Sequence, residues 1–377
     1  MSSACTTMDH LVIGGGPAGS MAAIRLAEAG RQVTLLEKER GAHDKVCGEF
    51  LSGEAVEYLC EAGVAPADLG AAAIRLVRLS SGREVAEAAL PFRALSLSRR
   101  VLDAALLARA ADRGCKVRRC ACVERLRADD GMWLVRLSDG EEMRARTVFL
   151  GCGKHDLHGW TRGGGAQADL IGFKLHWRLA PDQTQALREA MELFLFPGGY
   201  GGLSLVEEDA ANLCLVVRRL VLRAAGGWTA LLAAIVDENR HLWRRLRGAE
   251  AIWARPLAIS PIPYGYLAGC SRGLWRVGDQ AAVIPSFTGD GMSIALHSAA
   301  LAARMFLAGE SADEYNRALR AQLSGPMRLA TWVSRAMVSA AGRNVAPSIL
   351  SVLPHAMQWI AAGTRVPEQA LLIRLAR

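Results

Sequence analysis

Leu11-Val12-Ile13 runs directly into Gly14-Gly15-Gly16-Pro17-Ala18-Gly19, a G-x-G-x-x-G turn between an apolar strand pattern and a helix start. That arrangement is suited to holding a diphosphate. Gly14 permits the tight turn, Gly16 lets the backbone approach a phosphate, and Gly19 lets helix and strand pack closely. Pro17 presets the first helical turn and Ala18 keeps it slim, leaving unpaired N–H groups and the positive end of the helix dipole for an anion. The helix continues through Met21, Ile24 and Leu26 to a stop at Gly30, and Gln32–Glu37 reads as a second parallel strand. It ends in an acid 23 residues after Gly14, placed to accept hydrogen bonds from both hydroxyls of a ribose. Lys38 beside Glu37 is counted with it among the cofactor contacts. This is the spacing of a βαβ dinucleotide unit, and by itself it fits NAD and FAD alike.

A second glycine-rich segment lies near the other end. Leu274–Val277 reads as a strand ending in Gly278-Asp279-Gln280-Ala281-Ala282, and Pro285-Ser286-Phe287-Thr288-Gly289-Asp290-Gly291-Met292 leads into an Ala-rich helix that Gly309 closes. A helix start with bare N–H groups stabilises negative charge, and glycines at 289 and 291 admit a close ligand. Together these segments resemble the second motif (G-D, then P-x-x-x-G-x-G-M) of FAD enzymes with the para-hydroxybenzoate hydroxylase fold, a superfamily that includes class A flavin monooxygenases and geranylgeranyl-reductase-like enzymes. The resemblance implies FAD as cofactor, Gly278 and Asp279 at its ribitol, and Gly289, Gly291 and Met292 at the pyrimidine edge of the flavin. Ser98-Arg99-Arg100-Val101-Leu102-Asp103 is similar to the family's R-x-x-L/F-D helix start, which implies that Arg99 approaches the cofactor. Lys45-Val46-Cys47-Gly48-Glu49 matches the place where the reductase branch carries Cys-Gly beside the flavin. Cys47 is therefore the cysteine expected at the reacting centre, as a proton donor or as packing.

Departures from the family matter as well. Where class A monooxygenases carry an Asp-Gly pair serving FAD and NAD(P)H, this chain has Gly151-Cys152-Gly153-Lys154-His155. NAD(P)H is thus one candidate electron donor rather than an implied one, with Lys154 and His155 available to cofactor phosphates or substrate. Flavin-dependent halogenases share the fold, but their W-x-W-x-I-P stretch is missing and no Lys occurs between Lys45 and Lys116.

The elements that must position these residues fit 377 residues, with 51% hydrophobic and 22% charged side chains. That is enough for two domains with a real core, and it excludes disorder and a small stapled module. The expected fold is α/β: a Rossmann-like FAD-binding domain from 1–158 plus 262–310, a sheet-based substrate domain from 159–261, and a helical C-terminal segment from 311–377. Lys116–Cys122, Met132–Leu137 and Arg144–Leu150 read as strands, the last two with turns at 129–131 and 139–140. Ile171–Leu179, Glu192–Phe196 and Asn212–Val217 read as strands of the substrate domain, with Pro197–Gly202 as a turn.

Nine scattered cysteines without C-x-x-C pairs suggest a reducing, cytoplasmic setting. Cys120 and Cys122 fall on one face of the expected strand, but without a second pair or nearby His no metal is assigned. Net charge is +8, and between Tyr315 and Pro367 there are six Arg and no acid. That segment reads as a helical cap, a membrane-binding face giving a peripheral location, or a dock for an acidic carrier protein. No nucleic-acid motif accompanies the charge. The functional expectation is an FAD-dependent oxidoreductase acting on a largely apolar small molecule (prenyl, polyketide or aromatic), by reduction or dehydrogenation or by flavin-hydroperoxide hydroxylation. A non-catalytic escort protein on the same fold is the alternative, although escort function would be expected to erode glycine turns that are intact here.

Overall fold

The computed structural model describes residues 6–339 and 354–373, so Cys5 and Arg343 lie outside the described residues. The first sheet has seven strands: β1 (Thr6–Ile13), β2 (Val33–Leu36), β6 (Lys116–Arg118), β7 (Val123–Asp129), β8 (Met132–Leu137), β9 (Glu142–Leu150) and β17 (Trp275–Arg276), in the order β6-β2-β1-β9-β8-β7 with β17 on β9. β6, β2, β1, β9 and β17 pair in parallel, and β7-β8-β9 is an antiparallel meander. Alternation within β1 separates two cores. Val12 faces the cluster formed with helices α1 (Pro17–Glu28), α3 (Arg99–Asp112) and α8 (Gly291–Leu307), whereas Leu11 and Ile13 face the cluster under the meander with Trp133 and Leu157.

The second sheet has nine strands. They are β3 (Phe50–Leu51), β4 (Ala72–Ser81), β5 (Glu84–Ser96), β10 (Leu170–Arg178), β11 (Glu189–Phe196), β12 (Gly199–Leu205), β13 (Ala211–Arg218), β14 (Glu250–Ala251) and β15 (Leu257–Ile259), ordered β14-β10-β13-β12-β11-β4-β5-β3 with β15 on β10. Three of these strands come from residues that the sequence places in the cofactor domain. The 1–158 boundary therefore needs correcting for residues 50–96, because β4 pairs in parallel with β11 more than 100 residues away. The sequence reading assigns no strands at 72–96, and the pairing partners that define β4 and β5 are non-local and leave no local trace. A short ladder of β16 (Tyr266–Leu267) and β18 (Ala282–Val283) completes the strands.

Two smaller expectations also change. The strand after Lys116 ends at Arg118, and Cys120 takes a left-handed φ of +56°, so Cys120 and Cys122 are exposed loop residues, not a strand-face pair. Pro197–Gly202 is a turn only at Gly198 (φ +71°); Gly199 to Gly202 belong to β12. The glycines there serve packing. Gly199 lies across from Phe196 and Gly201 across from Phe194, and a Cβ at either position would come within 2.4 and 2.2 Å of those rings.

Helix α2 (Gly53–Glu61) follows β3, and α4 (Pro181–Leu187), α5 (Arg219–Ala225), α6 (Trp228–Glu238) and α7 (Arg240–Leu246) surround the second sheet. The C-terminal segment begins with α9 (Ala312–Met337), opened by a capping box between Ser311 and Glu314. Its Tyr315 is fully buried in the first core and donates its hydroxyl to the Arg276 carbonyl at 2.8 Å. After α10 (Pro354–Gly363) the chain returns to α2: Arg365 pairs with Glu54 at 2.7 Å, and the Leu372 N–H donates to the Tyr58 hydroxyl. Among the described residues no single helix is long and apolar enough to cross a membrane.

Filling the space under the phenyl rings should be costly. Gly201→Ala is expected to destabilise the fold by about 1–3 kcal/mol, while Gly202→Ala, whose new methyl would make only ordinary contact with Met191 at 3.5 Å, should stay within about 0.5 kcal/mol. Paired denaturation curves check the contrast.

Candidate active site

The β1–α1 turn is closed by backbone contacts. A Cβ at Gly14 (φ +100°) would lie 2.5 Å from the Gly151 carbonyl oxygen, and one at Gly19 would lie 1.8 Å from the Gly14 oxygen. Gly16 caps α1 without a side-chain bond, Pro17 and Ala18 form its buried first turn, and no acid occupies that turn. The N–H groups there remain available to an anion. Glu37 is buried at the end of β2. One carboxylate oxygen accepts from the Gly15 N–H at 2.8 Å and the other from the Glu39 N–H at 3.0 Å. Glu37 thus holds the glycine turn itself, and it also lines a narrow cleft with Gly15, His43, Lys45, Asp103 and Arg119. Lys38 is less embedded, its ammonium 3.8 Å from Glu39.

Arg99 is the first residue of α3. Its guanidinium makes two bonds to Asp103 (2.7 and 2.9 Å) and reaches within 3.2 Å of where a Gly16 Cβ would stand. Burial opposes its charge, yet the neighbouring Asp103 carboxylate and Cys47 sulfur raise its affinity for the proton. Asp103 is likewise buried but is held below the usual carboxylate range by Arg99 and Lys45, the latter at 2.9 Å. The sulfur of half-buried Cys47 accepts the Glu49 N–H at 3.4 Å, and its carbonyl accepts from Asn212 Nδ2 at 3.1 Å.

The second motif meets the first. Gly278 (φ +61°) would place a Cβ 2.8 Å from that of Ala18, and Asp279 pairs with Lys154 at 3.3 Å. Gly289 (φ +74°) sits under the Phe50 ring, where a Cβ would be 2.5 Å from the ring, and Gly291 opens α8 with empty space where its Cβ would point. The Met292 side chain is buried in the core, so only its backbone N–H is free to serve a ligand. Contacts therefore run from Gly16 through Arg99 to the Cys47 loop and from Phe50 to Gly289, while Ala18 touches Gly278. Both helix starts border one region. Two bare helix tips with Arg99, Lys45 and Lys154 nearby fit a long dianionic dinucleotide, whose diphosphate α1 would hold and whose ribitol and ring Asp279 and the α8 start would hold.

Cys152 does not take part as a reactive thiol. Burial pushes it up to about 12, and its S–H donates to the His155 carbonyl at 3.0 Å. Burial, then the surrounding Lys38, Lys45, Arg162 and Lys154, keeps His155 below its ordinary value. Two groups escaped the sequence reading. One is a buried array of Asp44, Glu49, Lys174 and His176 against the Cys47 loop. Its available signal was a Lys and a His two apart in the otherwise apolar Leu170–Trp177 stretch. The other is Asp290 at the start of α8, fully enclosed, with one oxygen accepting from Thr364 Oγ1 at 3.3 Å and the other unpartnered.

Residues 7–149 match a family model described as an FAD binding domain. The chain is an FAD-dependent oxidoreductase. FAD is its cofactor. It is 29% identical to digeranylgeranylglycerophospholipid reductase 2 of Methanopyrus kandleri over 81% of this chain and 77% of that one. To the menaquinone reductase of Mycobacterium tuberculosis it is 25% identical, over 94% and 93%. Among solved structures, the flavin-dependent brominase Bmp2 has the same fold, with TM-score 0.76 and 18% identity over 97% of this chain and 95% of that one.

Asp290 yields a pH dependence. Burial, with Glu54 nearby and only partial relief from Arg365, raises its carboxyl to about 7. A folded-state value above the unfolded one means that the folded protein binds the proton more tightly. This contribution is full at low pH and is lost as pH rises through about 7. Asp290→Asn should therefore raise the melting temperature at pH 8, with the gain shrinking toward pH 5; thermal shift across that range checks the sign.

Proposed function

We propose that this flavoprotein reduces carbon–carbon double bonds of a largely apolar, isoprenoid-type substrate. The observation that carries the reading is the Cys47 loop: a thiol held against Arg99 beside the flavin-facing helix start, in a chain whose near-full-length relatives are named reductases. When bound and reduced by an electron donor, the flavin would supply a hydride to one alkene carbon and return to its oxidised state. Cys47 supplies the proton for the other carbon, so that two hydrogens add across the bond and the thiolate left behind faces Arg99. Lys45 and Lys154, each paired with an aspartate, keep further positive charge around that sulfur and the flavin.

Apolar character is supported by the face of the second sheet nearest α8. Leu193, Leu195 and Tyr200 cluster with Tyr264, Val333 and the Phe287 ring that precedes Gly289. This packed cluster makes the wall behind the α8 start apolar rather than charged, which favours an apolar substrate there. NAD(P)H is the electron donor to test first, although Cys152 replaces the acid that serves it in the monooxygenases.

The lipid source is read from the outer face of the tail. Trp332 on α9 and Trp359 on α10 are 70% and 80% exposed, and exposed Arg328 and Arg335 flank Trp332. Indole rings beside arginines suit the interface of an anionic bilayer. Trp332→Ala combined with Trp359→Ala should weaken sedimentation with anionic vesicles at least threefold; retention of vesicle binding, or binding of an acidic carrier protein instead, overturns the membrane reading.

For the chemistry, FAD-loaded protein reduced anaerobically with dithionite is mixed with a polyprenyl lipid. The expected result is reoxidation of the flavin and a product heavier by two hydrogens. A product carrying one oxygen, formed only with O2, assigns hydroxylation instead. Cys47→Ser should lower turnover at least tenfold while FAD absorbance is retained; unchanged turnover returns Cys47 to a packing role.

A further inference from the structure

Among the described residues, a fully buried ion pair lies outside both glycine motifs. Glu49 and Lys174 have no exposed side-chain surface, and His176 has 8%. One Glu49 oxygen accepts from Lys174 Nζ and from the Arg99 N–H at 2.8 Å, and the other is 2.9 Å from His176 Nε2. Lys174 also reaches Asp44 at 3.2 Å and lies over the Trp253 ring, and His176 stacks on the same ring at 4.6 Å. Burial disfavours the Glu49 anion, but the bonds from His176 and Lys174 prevail and hold its carboxyl below the usual range. Such a cluster is expensive to assemble from water and is stable only when every charge is paired.

Position gives the array its meaning. Glu49 has a left-handed φ of +60°, which a glutamate adopts only under constraint. That conformation lets its own N–H bond the Cys47 sulfur while its carboxylate receives the first N–H of α3, the helix whose Arg99 touches the same sulfur. Lys174 and His176 arrive from β10 with their side chains on one face, opposite Cys214 and Asn212 of β13. Asn212 bonds the Cys47 carbonyl, and Cys214 lies in the fields of Cys47, Lys174, Lys154 and Glu49 at once.

Asp44, Glu49 and His176 have ligand atoms within 4.8 Å of one another. The Lys174 ammonium already bonds both carboxylates, so the trio carries its own cation.

We propose that Glu49, Lys174 and His176 are positioning residues for Cys47: the substrate sheet fixes the place and the electrostatic surroundings of the flavin-side thiol through one buried carboxylate. The inference rests on the reading of Cys47 as the reacting thiol, and its test is independent of turnover. Alkylation by iodoacetamide at neutral pH is followed by peptide-resolved mass spectrometry on the full-length protein, with and without FAD, using Cys270 as the exposed reference. The attacking species is the thiolate, which a nearby anion disfavours and a nearby cation favours. Glu49→Gln should speed Cys47 modification and Lys174→Met should slow it, each by about threefold or more, with Cys270 unchanged. His176→Gln, at the edge of the array, keeps a donor for Glu49 and, as the conservative variant, should leave Cys47 modification close to the wild-type rate.

A merely structural array predicts a different pattern. All three variants would then accelerate Cys47 together as the loop loosens, with a lowered melting temperature, and that result overturns the proposal. So does an unchanged Cys47 rate in Glu49→Gln and Lys174→Met. A stoichiometric divalent metal in wild-type protein that Glu49→Gln releases also overturns it. Loss of alkene reduction with the opposite-sign pattern intact would remove the functional reading and leave this inference standing.

Discussion

Backbone-to-backbone contact at Gly14, Gly19 and Gly151 is the constraint on which the rest of the molecule depends. β1, α1 and β9 meet there with no side chain between them, and a single added carbon at Gly19 would overlap the Gly14 carbonyl. Because α1 starts so close to the sheet, Ala18 comes up against Gly278, and the strand from the far end of the chain can lay Asp279 beside the same region. Arg99 then closes the third side. Its position follows from α3 packing on α1, and its charge is retained by Asp103 despite burial. A methyl group at the first contact would displace each of these in turn.

What was legible in the sequence was whatever the backbone itself must do. Glycine spacing, Pro17, the acid ending β2 and the stop at Gly30 are local requirements, and the structure places α1 and β2 within a residue or two of where these signals fall. The Gly278–Asp279 turn and the start of α8 were readable for the same reason. Packing partners were not readable. Gly199 and Gly201 look like turn residues until the Phe196 and Phe194 rings are seen to occupy their missing side-chain space. The membership of β4 and β5 in the second sheet depends on a parallel partner supplied by β11, and no property of residues 72–96 specifies it.

The Glu49 array was missed for a related reason. Lys174 and His176 two apart in an apolar strand implied a buried pair needing a counter-charge, since an unpaired buried ammonium is untenable. The sequence did not say where that counter-charge comes from. It comes from a loop 125 residues earlier, bent by a left-handed glutamate. The same carboxylate joins the thiol, the first N–H of α3 and the substrate sheet, so the two large sheets are connected at the reacting region by ionic bonds in addition to apolar packing.

This division has a consequence for the electrostatics of the centre. Arg99 and Lys154 act on Cys47, Lys45 and Lys174 belong to the surrounding network, and each is paired with a carboxylate: Asp103 for Arg99 and Lys45, Asp279 for Lys154, Asp44 and Glu49 for Lys174. Pairing is what makes these buried charges tenable. At the start of α8 the balance is reversed. Asp290 is an acid enclosed without a direct cationic partner, and burial favours its neutral form. A carboxylate there would add negative charge beside the helix-start N–H groups, and the protonated acid would not. The returning tail enforces the enclosure: Thr364 bonds Asp290, and Arg365 is drawn to Glu54 and the Phe92 ring. Thr364 and Arg365 therefore set the surroundings of the α8 start from the C-terminal segment of the chain.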